Sequence, residues 1–196
     1  MQNAGNEFVY ADFQFINDKF FNYINGLSTV ELGSGGGDFH TLHLEKHASK
    51  LLCIEYKLLN IYTLRNCRTE KMEILYADYH EAVRTVGEYD AVVMFGILYH
   101  SHSPLGLLED VVNYIKPKII LLNAIHDGPI EVVAADEIPD SNFMNRQISK
   151  NSKCSNLVLS ISHTIYKKVM QNMGYECLKT LHYKKCYYSA YQLKSN

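Results

Sequence analysis

The chain has 196 residues, 47% hydrophobic and 20% charged, which is globular composition at a length that one domain commonly reaches. Its formal net charge of −2 argues against a protein held on nucleic acid mainly through phosphate contacts, which needs a basic face. Five cysteines without a CxxC spacing argue against a disulfide framework or a structural zinc site, and a start (MQNAGNEFVY) without basic and apolar regions argues against a signal peptide.

In chain order, Phe13, Ile16, Phe20 and Tyr23 recur at helical spacing and predict a helix over 12–25, stopped by Asn25-Gly26. STVEL (28–32) reads as a strand. Residues 38–48 read as a helix with Asp38 as its N-cap. KLLCIEY (50–56) is a second strand, 57–67 a second helix of this series, and MEILYAD (72–78) a third strand. A short helix over 79–87 ends at Gly87, and YDAVVMFG (89–96) is the fourth strand. Pro104 opens a helix that runs to Ile115, and KIILLNA (118–124) is the fifth strand. The strand runs are apolar nearly end to end, as in parallel strands covered on both faces. The alternation predicts an α/β fold with a doubly wound, mostly parallel sheet.

Residues 125–159 break the pattern with Gly, Pro, Asp, Asn and Ser, and read as one long irregular segment. A helix resumes over 162–176, with Ser162 as cap and Ile165, Val169 and Met173 as its apolar stripe. Residues 176–183 and 186–193 then alternate about Lys184-Lys185 and predict a terminal antiparallel hairpin. The expected organisation is one domain over 1–196, with an N-terminal helix within 1–26 and a substrate-side insertion at 125–160. No run approaches the ~20 apolar residues of a membrane span, so a soluble, cytoplasmic protein is expected.

VELGSGGGDF (30–39) lies between a strand and a helix, where glycines let a backbone turn sharply and approach a ligand. It is not a dinucleotide fingerprint. Counted from Gly33, the third glycine of GxGxxG falls on Asp38; counted from Gly35, it falls on His40. No GK[ST] is present either. What stands there is Glu31-x-Gly33-x-Gly35-x-Gly37. Glu55 closes the second strand and Asp78 the third. Each acid alone reads most simply as a loop residue or a cap; their joint placement after three successive strands is the specific signal.

This set resembles motif I and the neighbouring acids of the class I S-adenosylmethionine-dependent methyltransferases. The resemblance implies a seven-stranded Rossmann-like sheet and a methyl group moved from S-adenosylmethionine, with S-adenosylhomocysteine as product. It implies that Glu31 serves the cofactor's cationic amino-acid end, Glu55 its ribose hydroxyls and Asp78 its adenine. Gly33, Ser34, Gly35, Gly37, Tyr56, Tyr79 and Phe95 complete the expected cofactor contacts. A negative charge at Glu31 suits an ammonium and repels a pyrophosphate.

FGILYHSHSP (95–104) resembles the segment that borders the transferred methyl group in this family. An oxygen or nitrogen acceptor benefits from a base near neutral pH, which points to His100, with His102 and Tyr99 beside it. Read structurally, His100 satisfies backbone at a strand end and His102 lies on a surface loop. His126, Asp127, Phe143 and His163 are expected on the acceptor side. His100-x-His102 with His126-Asp127 could form a metal site, but no acid cluster accompanies them, and no metal is expected. The expected acceptor is a small molecule. A tRNA- or RNA-modifying enzyme, including carboxymethyl transfer, and a non-catalytic cofactor-binding module are the alternatives.

Overall fold

A computed structural model describes residues 14–37, 40–124, 161–183 and 186–195, and the backbone of 131–134 and 157–160. Helix α1 (14–20) passes into a 3-10 turn at Phe21–Ile24. Then follow β1 (Ser28–Leu32), α2 (Thr41–His47), β2 (Lys50–Glu55), α3 (Leu58–Asn66), β3 (Met72–Tyr76), α4 (Tyr79–Ala82), β4 (Ala91–Met94), α5 (Pro104–Asp110) and β5 (Ile119–Ala124). After these come β6 (Glu131–Ala134), β7 (Leu157–Ser160), α6 (His163–Asn172), β8 (Tyr175–Tyr183) and β9 (Cys186–Leu193).

Seven strands form one sheet in the order β3-β2-β1-β4-β5-β9-β8. β1 to β5 are parallel; β9 runs antiparallel to both β5 and β8. This is the doubly wound sheet with a terminal hairpin expected from the alternation. The order reverses between β1 and β4, so a crevice opens beyond their carboxyl ends.

Strand side chains alternate between two layers. On one face Phe20, Leu44, Ile61 and Leu64 pack on Cys53, Val93 and Leu121. On the other, Ala82, Leu107, Leu108, Tyr166 and Met170 pack on Val30, Ile54, Val92 and Leu122. Both faces of β1, β4 and β5 are therefore dry, which explains their unbroken apolar runs.

Three expectations need correction. Helix α2 begins at Thr41 rather than at 38, and His40, its N-cap residue, makes no side-chain cap bond; Asp38 lies outside the described residues. The apolar stripe of α6 is rotated. Tyr166 and Met170 are fully buried while Ile165, Val169 and Met173 are half-buried, because the larger side chains fill the layer against β5 and Tyr191. The segment expected to be irregular contains β6 and β7, which pair antiparallel with Glu131 opposite Ser160. Strands of four residues separated by 22 carry no local signal, since only the distant partner makes them strands.

Ser162 does cap α6, accepting from Ile165 N at 3.3 Å. The helix that Pro104 opens continues as a π-turn over Val111–Ile115 and stops at Lys116, in the left-handed region at φ 53°, before Pro117. No described helix is long and apolar enough to cross a membrane.

Candidate active site

The glycine loop leaves β1 with three left-handed residues: Gly33 at φ 71°, Gly35 at 59° and Gly37 at 90°. Their surroundings separate their roles. A Cβ on Gly37 would press on Leu64 Cδ2 and Cys67 Sγ at 3.1 and 3.2 Å, so this glycine seats the loop on α3. Among the described residues a Cβ on Gly35 would meet nothing within 4 Å, which leaves room beside the backbone there, as a ligand cradle requires. A Cβ on Gly33 would stand 2.7 Å from Ile97 Cγ1 and closer still to Cδ1.

Gly33→Ala therefore combines left-handed strain of about 1–2 kcal/mol with overpacking of about 1–3 kcal/mol against a buried isoleucine. The variant should melt roughly 4–20 °C below the wild type, at about 2–4 °C per kcal/mol for a chain of this size. An unchanged Tm in thermal unfolding would contradict this fit.

Glu55 is buried at the end of β2 and holds the loop. Its Oε2 accepts from Gly35 N at 2.9 Å; its Oε1 accepts from Tyr56 N at 2.8 Å and Lys57 N at 2.7 Å. A carboxylate offers about four lone-pair sites, so three are taken and one remains. Asp78 is exposed beyond β3, and its Oδ1 accepts from His80 N at 2.7 Å as the N-cap of α4. Tyr56 and Tyr79 both stand in the fields of Glu55 and Asp78. The four side chains therefore converge beyond β2 and β3. Burial pushes the Tyr79 hydroxyl up to about 12.

Glu31, on β1, is as buried as Glu55, at 4% exposed. Thr41 Oγ1 donates to its Oε2 at 2.7 Å, and the Ser34 hydroxyl approaches its backbone carbonyl at 3.5 Å. Burial raises the carboxyl to about 7, with the nearby Glu55 charge adding to the shift.

Beyond β4, the Phe95 ring turns into an aromatic cluster instead of the crevice. Its centroid lies 5.2 Å from His40, 5.3 Å from Tyr188 and 6.2 Å from both Phe20 and Phe21. Gly96, at φ 79°, donates from its N–H to Asn123 Oδ1 at 2.8 Å, which ties the end of β5 to the turn that follows β4. Tyr99 and His100 then form a 3-10 turn with their rings 4.5 Å apart. Tyr99 is buried and its hydroxyl is shifted upward. His100 has solvent access, yet the surrounding chain desolvates its ring and Lys57 adds like charge, which lowers it to about 4. His102 is exposed, with its ring 4.6 Å from His80. His80 Nε2 is hydrogen-bonded to Ser101 Oγ at 2.9 Å, and Ser103 N donates to the same oxygen at 3.0 Å. This chain joins the start of α4 to the start of α5.

His163 opens α6. Its Nε2 lies 3.1 Å from Ser189 Oγ and 3.3 Å from Thr180 Oγ1, and its ring stacks on Tyr187 at 5.1 Å. It is thus committed to the terminal hairpin. β7 passes beside the Leu98–His100 turn. His126, Asp127 and Phe143 lie outside the described residues. Among the described residues, no three His, Cys, Asp or Glu side chains gather as a metal site.

Thr41, His80, Ser101 and Asn123 were not expected from sequence. The first follows the glycine loop and could have been sought as a partner for a buried acid. The others are ordinary polar residues whose partners lie 21 to 27 positions away.

No protein-family model and no curated protein matches the chain. Among solved structures, it is similar to 1,6-didemethyltoxoflavin N1-methyltransferase of Burkholderia thailandensis with bound S-adenosylhomocysteine, at TM-score 0.70 and 10% identity, over 95% of this chain and 80% of that one. It is similar to magnesium protoporphyrin IX methyltransferase of Synechocystis, also with bound S-adenosylhomocysteine, at TM-score 0.68 and 9% identity, over 99% and 89%. A Haloferax volcanii putative methyltransferase in complex with the Trm112 methyltransferase activator matches at TM-score 0.69 and 13% identity, over 98% and 92%.

Proposed function

We propose, from the premise that this chain has the fold of the class I S-adenosylmethionine-dependent methyltransferases, that it moves a methyl group from S-adenosylmethionine to an oxygen or nitrogen of a small molecule. The observation that carries the reading is Glu55 at the end of β2, bonded to the Gly35 N–H of a glycine loop whose Gly35 side is open among the described residues, with Glu31 within reach of its charge. Glu31 would receive the cationic amino-acid end, the remaining lone pair of Glu55 a ribose hydroxyl, and the free oxygen of Asp78 the adenine amino group, with Tyr56 and Tyr79 flanking the ring. The cofactor supplies an electrophilic methyl on a sulfonium. The protein's part is orientation and exclusion of water. Neighbouring solved structures that carry toxoflavin-type and porphyrin names support small acceptors as a class.

His100 is the acceptor-side group with solvent access beside the turn after β4. Lowered to about 4, it is unprotonated throughout the neutral range and can accept a hydrogen bond from an acceptor O–H or N–H. Its low basicity limits it to steering that proton rather than holding it. In a histidine-labelled NMR titration, the His100 ring should titrate near 4; a midpoint near 6.5 would show a freely solvated surface ring.

The reading is tested by calorimetry with S-adenosylmethionine and S-adenosylhomocysteine, followed by a screen of small hydroxyl and amine acceptors that detects the demethylated product. Micromolar binding and turnover with at least one acceptor are expected. Absence of binding by both nucleosides would sink it.

A further inference from the structure

Glu31 presents a problem that its hydrogen bonds do not solve. It is buried on β1, and among the described residues no lysine or arginine pairs with it. On β2 its register partner is Cys53, whose thiol burial keeps neutral; on β4 it is Val93. From α2 it receives one hydroxyl, that of Thr41, and the adjacent His40 is held neutral by burial at about 3. The Ser34 hydroxyl also hydrogen-bonds to it, and among the described residues the charge that acts on it is the like charge of Glu55. An isolated buried carboxylate is costly, and such groups take up a proton instead.

Thr41 is placed to serve both states. Its Oγ1 lies 2.7 Å from Glu31 Oε2 and 3.3 Å from the carbonyl oxygen of Ser34. With Glu31 ionised, the threonine hydroxyl donates to the carboxylate. With Glu31 protonated on Oε2, the acid donates to Thr41 Oγ1 and the hydroxyl turns to the Ser34 carbonyl. Each arrangement leaves the buried atoms satisfied.

We infer that the cofactor-free protein holds Glu31 as the neutral acid below neutral pH, with Thr41 as its switching partner, and that the cofactor's ammonium expels the Glu31 proton to solvent on binding. The inference rests on the cofactor reading given above. The ammonium keeps its three protons; one proton leaves Glu31 Oε2, and a buried ion pair forms where a neutral acid stood. The raised titration of Glu31, at about 7, places this exchange in the physiological range. Thr41 is a positioning residue acting through Glu31.

The test is calorimetry from pH 5.5 to 9 in buffers of differing ionisation enthalpy, with two probes. S-Adenosylhomocysteine carries the ammonium; 5′-methylthioadenosine shares the nucleoside and thioether but lacks the amino-acid end. The first should bind at least tenfold more tightly at pH 8 than at pH 5.5 and release between half a proton and one proton at pH 6. The second should vary by less than about twofold. Thr41→Val should weaken S-adenosylhomocysteine roughly tenfold at pH 7 and recover toward the wild type by pH 9, whereas Thr41→Ser should follow the wild type. A flat profile without proton release, or the same slope for both probes, overturns the inference while leaving the cofactor reading intact. Failure of both probes to bind at every pH removes the cofactor reading and this inference with it.

Discussion

Glu55→Ala is expected to weaken S-adenosylhomocysteine binding by about 100-fold and to lower the melting temperature as well. The two effects share one carboxylate. Its three backbone donors, Gly35, Tyr56 and Lys57, all lose their acceptor, and the loop loses its latch to β2. Net contributions of hydrogen bonds to charged groups run about 1.5–3 kcal/mol each, and part of that loss returns as the freed N–H groups reach water. A stability loss of roughly 2–4 kcal/mol follows, or some 5–15 °C in Tm. On the ligand side, one lost ribose bond of about 1.5–3 kcal/mol gives a tenfold to 100-fold loss, and a loosened loop adds to it. Glu55→Gln separates the two. Its amide oxygen can keep Tyr56 N and Lys57 N, while its NH2 faces the Gly35 N–H, from which it cannot accept. It should retain more stability than the alanine variant but little more affinity. Full affinity in Glu55→Ala would remove this residue from the cofactor site.

Glu31→Gln should do the opposite to stability. The carboxyl has an ordinary value of 4.5 and stands at about 7 in the fold. Folding therefore favours its protonated form. The sign follows: its contribution is fully present below 4.5 and is lost as pH rises through 7. At about 1.4 kcal/mol per pH unit, the wild type forfeits on the order of 2–3 kcal/mol between pH 5 and pH 8 through this group. A glutamine keeps the shape without the charge. Glu31→Gln should thus be more stable than the wild type at pH 8 and nearly equal to it at pH 5, by chemical unfolding at the two pH values. Its S-adenosylhomocysteine affinity at pH 8 should fall by about 100-fold, because the ammonium loses the buried counter-charge of Glu31. Taking the difference between the two proteins cancels other groups. Asp90 is one: its bonds to Lys118 and Ser28 hold it down at about 2, so it acts in the opposite direction and only at acid pH. A Glu31→Gln variant destabilised at pH 8 would show that the carboxylate is ionised and well served in the empty protein.

These two residues show why the place of a candidate acid can be read in sequence while its chemistry cannot. Glu31, Glu55 and Asp78 stand at or just beyond the ends of three apolar strands, and parallel strands bring their carboxyl ends to one edge of the sheet. That regularity places three acids together without any knowledge of side-chain contacts. Their states were not legible. Glu55 meets donors from its own strand end and from Gly35, 20 residues away; Glu31 meets the hydroxyls of Thr41, ten residues away, and Ser34, together with the like charge of Glu55. Phe95 and His100 divide in the same way: adjacent turns of one segment send the first ring into the aromatic core and leave the second with solvent access.

Sequence alone determined the alternation of β1 to β5 with their helices, the doubly wound sheet, the terminal hairpin and the glycine loop after β1, because all of these follow from local periodicity and from where turns must fall. Tertiary structure decided the pairing of β6 with β7, the face that α6 buries, the partners of His163, and the separation of the three acids into a loop latch, a helix cap and a buried acid near neutrality. Each of those depends on which distant atoms exclude water from a group or replace it. Burial and hydrogen-bond partners set protonation, and both are properties of the packed chain rather than of any short stretch of it.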